Sequence, residues 1–185
     1  FVLLFTTFVL PLILGYHEKV RRVHCQENLK TIGIACRDYA KSRRDRRFPD
    51  DLGIFIDRGE LLGRHYVCAG GYRTEPPRTG DDVRQGQCSY TYVGKGLRLN
   101  SPNIKRTVLA HDRESHRHEP FMNVLLADGR VYGANVGTIE EACEKHGWFL
   151  PGSTFKPPPV RVVKKRRPRR TFAADKCELR LPSSD

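Results

Sequence analysis

The first sixteen residues, FVLLFTTFVLPLILGY, are almost wholly apolar and run without a break signal into HEKVRRVHCQENLKTIGIACRDYAKSRR. One helix that is apolar all round at its front and amphipathic behind constrains the fold more than any other feature. Its front needs lipid or the matching helices of other copies, and its rear needs a head to cover. At about 1.5 Å of rise per residue, against a hydrocarbon core of about 30 Å, Phe1–Tyr16 is a few residues short of a full span. A membrane or filament-core helix fits these residues. A buried core helix and the apolar part of a secretory signal are the alternatives, although no small-residue cleavage site follows Leu14. The expected assembly residues are Phe1, Leu4, Phe5, Phe8, Pro11, Leu12 and Leu14. Pro11 removes a helical hydrogen bond and kinks the axis, which a lipid-facing helix tolerates.

Beyond the apolar run, Cys25, Leu29, Ile32, Cys36 and Tyr39 recur at steps of four and three. That spacing predicts one apolar seam facing a head, while Arg22, Glu27, Lys30 and Arg37 fall largely off it. Cys25 and Cys36 share the seam about three turns apart, too far to bond each other, so each needs a partner in the head. The run SRRDRR and then Phe48-Pro49 end the helix, because the residue before a proline avoids the α region.

A chain of 185 residues holds one domain with a proper core. The expected division is a helix over 1–44, a head over 45–150 and a basic, proline-rich tail over 151–185. The formal charge of +12 is uneven: the last thirty residues carry ten Lys or Arg against three acids, leaving +5 for the rest. Negative mean hydropathy excludes a polytopic membrane protein. The six cysteines show no CxxC or zinc-knuckle spacing, which favours an oxidising compartment. A Cys68–Cys88 disulfide would clamp the irregular run between them and is the expected pair.

Ser89–Val93, Thr107–Ala110, Asn123–Ala127 and Arg130–Gly133 are predicted strands, rich in β-branched, aromatic and aliphatic residues. Asp128-Gly129 between the last two predicts a two-residue hairpin turn in which both residues take positive φ. Thr138-Ile-Glu-Glu141 is a capping box opening a short helix to about Lys145, with Gly147 placed to close it. Trp148 to Leu150 are expected to pack on the head.

Two stretches carry a resemblance. RRVHCQENLKTIGIACRDY, Arg21 to Tyr39, resembles the post-membrane helix of pilin-like proteins. His118, nine residues, then Asp128-Gly129 is similar to the bacterial pilin-like family named for its His-x9-Asp-Gly motif, and HEPFMNVLLADGRVYG follows that family's local text. Phe48-Pro49, Cys68 and Ser89-Tyr90 also fall where the family has FP, a cysteine and SY. The resemblance covers roughly Pro11 to Gly133. It implies an α+β, pilin-like architecture: a long N-terminal helix packed on a small antiparallel sheet. It also implies a structural subunit of a type IV pilus or type II secretion pseudopilus, assembled as a helical homo-oligomer through that helix. Such subunits sit in the inner membrane before assembly and in an extracytoplasmic filament after it. Pilins begin with Phe and carry Glu four residues on; here Phe5 stands at that place. Alignment on Cys25 puts Phe1 about a dozen residues late, so a preceding segment that includes the Glu is expected. The basic residues Lys19, Arg21 and Arg22 would place this flank in the cytoplasm by charge alone, whereas the cysteines and the resemblance favour the other side.

The remaining candidates are weaker in kind. His111, Asp112, His116 and His118 crowd one loop and could hold a divalent ion; the plain alternative is a solvated loop with His118 and Asp128-Gly129 setting the hairpin. Asp112 and Asp128 are an alternative pair of calcium ligands, but no run matches a calcium loop. With no phosphate loop, GxSxG, HExxH or nucleophile–base pair, no enzyme and no cofactor are expected. Lys164, Lys165, Arg166, Arg167, Arg169 and Arg170 form a patch suited to nucleic acid or another anionic polymer, without the interleaved aromatics that stack bases. An anchored domain that never polymerises and a nucleic-acid-binding protein are therefore the competing functions.

Overall fold

A computed structural model describes residues 10–69, 75–113 and 121–152, with the side chains of residues 10–14 outside the description. The chain is an α+β protein. Helix α1, Leu10–Ser42, is followed by two short helices, α2 (Ile54–Asp57) and α3 (Gly80–Arg84), with a 3-10 turn at Gly63–Tyr66 between them. Four strands come next: β1 (Tyr90–Tyr92), β2 (Val108–Asp112), β3 (Phe121–Leu126) and β4 (Val131–Asn135). Helix α4, Ile139–His146, closes the described fold.

The sheet is an antiparallel meander in the order β1-β2-β3-β4. Side chains alternate across a strand, so β3 sends Leu125 to one face and Val124 and Leu126 to the other. On the first face lie the α1 seam and the 48–66 segment, sharing a core of Leu29, Ile32, Cys36, Phe55, Tyr66, Leu109 and Leu125. On the second face Val108, Met122, Val124 and Leu126 pack under Ile139, Ala142 and Cys143 of α4 and under Trp148. The fold thus has three layers, and β2 is buried along its whole length. Each fully buried Leu or Ile contributes about 1.5–3 kcal/mol, so the seam is the main tie between α1 and the head.

Gly33 permits that approach. A Cβ there would lie 2.7 Å from Leu125 Cδ1, so helix and sheet meet where the sequence supplies no side chain. The expected seam holds: Cys25, Leu29, Ile32 and Cys36 are buried, and the partly buried Tyr39 meets Phe55 edge-on at 6.1 Å.

Thr138 caps α4 by accepting from Glu141 N at 3.2 Å, and Gly147 ends it at φ 65°. The β3–β4 hairpin forms where expected, but its turn differs. Gly129 N donates to Leu126 O at 2.9 Å and Leu126 N to Arg130 O at 2.8 Å; only Gly129 has positive φ, at 91°. The loop is a turn followed by a glycine bulge rather than a two-residue turn, because α1 lies against it and Arg37 holds its carbonyl.

Candidate functional site

Helix α1 is 33 residues long, about 50 Å at about 1.5 Å per residue. Among its described side chains the first buried one is Cys25; from Gly15 to His24 every residue is exposed or half-buried. The helix therefore runs as a stem beyond the head. Three large apolar residues on it face solvent: Tyr16 at 66 % exposure, Val23 at 51 % and Ile34 at 55 %. At about 100° per residue, Tyr16 and Ile34 share one line along the helix and Val23 lies about 20° from it. Cys25 is nine residues from both Tyr16 and Ile34, two and a half turns, which puts this stripe opposite the buried seam. Beside the stripe, Val23, Gln26, Glu27 and Lys30 face Gly129, Arg130, Val131 and Tyr132 across an open groove of about 500 Å³. Tyr132 lines this groove from the edge strand β4, but it pairs with Val124 and its ring lies 5.4 Å from that of Trp148, on the α4 side of the sheet.

The hairpin motif is wired to α1. Arg37 Nη1 donates to the carbonyl of Asp128, and a Cβ on Gly129 would meet Arg37 Nη1 at 2.9 Å. The Asp128 carboxylate accepts from Arg130 Nε at 2.6 Å and from Arg130 N at 3.1 Å. Asp128 and Gly129 thereby fix the hairpin against the helix. At the other end of the sheet, Arg22 stacks 4.7 Å from the centre of the Phe121 ring, which fills the space left by Gly133.

His111 and Asp112 are buried at the end of β2. The Asp112 carboxylate accepts from Asn123 N at 2.8 Å and Asn123 Nδ2 at 2.9 Å, and His111 Nδ1 lies 2.8 Å from the Asp112 carbonyl. The two Asn123 bonds tie β2 to β3, and the His111 contact stays within β2. Asp128 lies beyond the far end of β3, so the structure does not bring Asp112 and Asp128 together. Among the described residues no three His, Cys, Asp or Glu side chains converge. His116 and His118 lie outside those residues, as do Phe1, Leu4, Phe5, Phe8 and the whole basic patch Lys164–Arg170. Pro11, Leu12 and Leu14 lie on α1, but their side chains are outside the description.

The cysteines require a correction. Cys68 does not meet Cys88: its sulfur lies 2.7 Å from that of Cys25 on α1. Cys88 Sγ instead accepts from Tyr90 N at 3.4 Å. The 3-10 turn at Gly63–Tyr66 directs Cys68 back to the helix, while β1 carries Cys88 away with the sheet. Burial pushes the thiols of Cys36 and Cys88 up and that of Cys143 to about 11, so each is a protonated, poor nucleophile at neutral pH.

On the surface, Arg84 bridges three carboxylates, Asp57 at 2.8 Å, Asp81 at 2.6 Å and Asp51 at 3.2 Å, tying α3 to the loop around α2. No helix of the described residues is long and apolar enough to cross a membrane. Comparison with protein-family models, curated proteins and solved structures finds no match.

The exposed stripe was missed by the sequence reading. Its signal is present but thin: three apolar residues spaced seven and eleven apart, interrupted by Glu27 and Lys30. Arg37, the hairpin's anchor, gave no signal, because its partner is 91 residues away.

Proposed function

We propose that this chain is a structural subunit of an extracytoplasmic pilin- or pseudopilin-like filament that assembles through α1. One observation carries the reading: a helix already committed to its own head on one face presents a second apolar stripe, Tyr16, Val23 and Ile34, on the opposite face. Isolated exposed apolar residues need no partner, but three aligned on a projecting stem, beside a groove, form a surface suited to another helix. The apolar run before Tyr16 continues that stem in sequence and suits an inner membrane before assembly. Head and stem are structural in this reading, and no residue is assigned a catalytic role.

The test is sedimentation and negative-stain microscopy of the full chain beside Tyr16→Ser/Val23→Ser/Ile34→Glu and a deletion of residues 1–15. Polymers from the full chain, lost in both variants while the head still melts cooperatively, are expected. A full chain that remains monomeric after release from detergent overturns the filament and favours a singly anchored domain.

A further inference from the structure

We propose that Cys25 and Cys68 form a disulfide that staples α1 to the head at the point where the stem leaves it. The inference is independent of filament assembly.

Three observations converge. The two sulfurs lie 2.7 Å apart, closer than two thiols pack without bonding, and both residues are buried, at 0 % and 1 % exposure. The two backbones are held in place around them. One turn along the helix, Asn28 Nδ2 donates to Val67 O at 3.0 Å, fixing the residue before Cys68 against α1. Tyr90 Oη donates to the carbonyl of Cys25 at 3.5 Å. The segment before Cys68 is anchored in turn: Ser89 N donates to Tyr66 O at 2.8 Å, and Tyr66 Oη to Leu52 O at 2.9 Å. From 2.7 Å, the two sulfurs need to close by less than about 1 Å to reach a disulfide length of about 2.05 Å. Cys36, Cys88 and Cys143 sit elsewhere in the core as free thiols.

The chemistry needs a two-electron oxidant, and the class that fits is a protein dithiol–disulfide oxidase. One thiolate of the pair attacks the oxidase disulfide, breaking its S–S bond and giving a mixed disulfide. The second thiolate attacks that bond, forms Cys25–Cys68 and releases the oxidase as a dithiol. The two protons lost by the cysteines end on the oxidase thiols, and the oxidase takes both electrons. Because both sulfurs are buried in the finished fold, exchange occurs before the head closes over α1, and the bond is then shielded from reductants.

Each cysteine occupies its own tryptic peptide, so the pairing can be read directly. The full chain, secreted to a bacterial periplasm, is blocked with N-ethylmaleimide in guanidinium without reductant and digested. The expected product is peptide 23–30 joined to peptide 65–73, two hydrogens lighter than the separate peptides, with Cys36, Cys88 and Cys143 alkylated. Alkylated Cys25 and Cys68, or Cys68 joined to Cys88 or Cys177, overturns the proposal. Thermal melting gives a second reading. Wild type and Cys88→Ala, reduced while unfolded in guanidinium and refolded in dithiothreitol, are expected to melt lower than when kept oxidised, whereas Cys25→Ala/Cys68→Ala is insensitive to the treatment. Should that double variant fail to fold, the wild-type peptide map still decides. A wild-type melting point unmoved by the reductant counts against the bond.

Discussion

Gly129 holds φ at 91° with Arg37 packed where a side chain would go. Gly129→Ala therefore combines left-handed strain of about 1–2 kcal/mol with displacement of the Arg37–Asp128 contact. The expected result is a lower urea midpoint with an unchanged slope, since the hairpin is weakened without altering what unfolds. A second residue-scale prediction concerns acid. Asp57 is held below the ordinary carboxyl value of 3.8, first by Arg84 and then by the Gly80 N–H. Asp82 is held below it by the N–H groups of Thr79 and Arg78. A carboxyl whose folded value is depressed contributes its stability in full above the unfolded value and loses it as pH falls through the folded one. Amide protection across α3, taken relative to intrinsic exchange at each pH, should therefore fall below about pH 4, before the amides of β2 and β3 respond. Equal loss of protection in all three elements would show that these two carboxyls do not hold α3 in place. Asp57 could be read from sequence only as a polar loop residue, because its partners lie 23 and 27 residues away, whereas Asp82 bonds its own neighbours Thr79 and Arg78.

At the scale of elements, α1 has one face for the head and, in the proposed filament, one for other copies, and the two should respond oppositely to substitution. Leu29→Ala or Ile32→Ala leaves a cavity in the core and should cost about 2–5 kcal/mol in chemical denaturation. Ile34→Ser, on the opposite face and 55 % exposed, should change head stability by no more than about 0.5 kcal/mol while weakening association. Equal losses of stability would mean that the stripe is not a free surface. The seam was legible because a period of three and four is local and dense. The stripe was not, because its members are sparse and charged residues separate them. The cysteine partner was invisible for another reason: Cys25 and Cys68 are brought together by a turn 43 residues downstream, whereas Cys68 and Cys88 merely share a loop in the text. If the staple forms, reducing it frees that loop in the unfolded chain, with a loss of about 4 kcal/mol in the chain-entropy picture.

For the whole molecule, the helix, four strands and hairpin were each readable, yet their layering was not. Continuous apolar text in Val108–Ala110 and Val124–Leu126 was the clue that both faces of the sheet are covered, and α4 with Trp148 supplies the second cover. Charge is the other whole-molecule property, and it divides the chain: +5 lies before residue 156 and +7 from there onward. Non-specific binding to duplex DNA follows phosphate neutralisation, with a logarithmic salt slope of about −0.9 per contact. If the six basic residues from Lys164 to Arg170 all engaged phosphate, the slope would approach about −5. A chain ending at residue 155 should lose nearly all this binding and keep its melting temperature, since the described core ends before the basic run. Fluorescence anisotropy across a salt series on both chains checks this. Binding that survives the truncation with its slope intact would move the anionic-polymer surface from the tail onto α1, where Arg21, Arg22 and Lys30 would be the residues to test next.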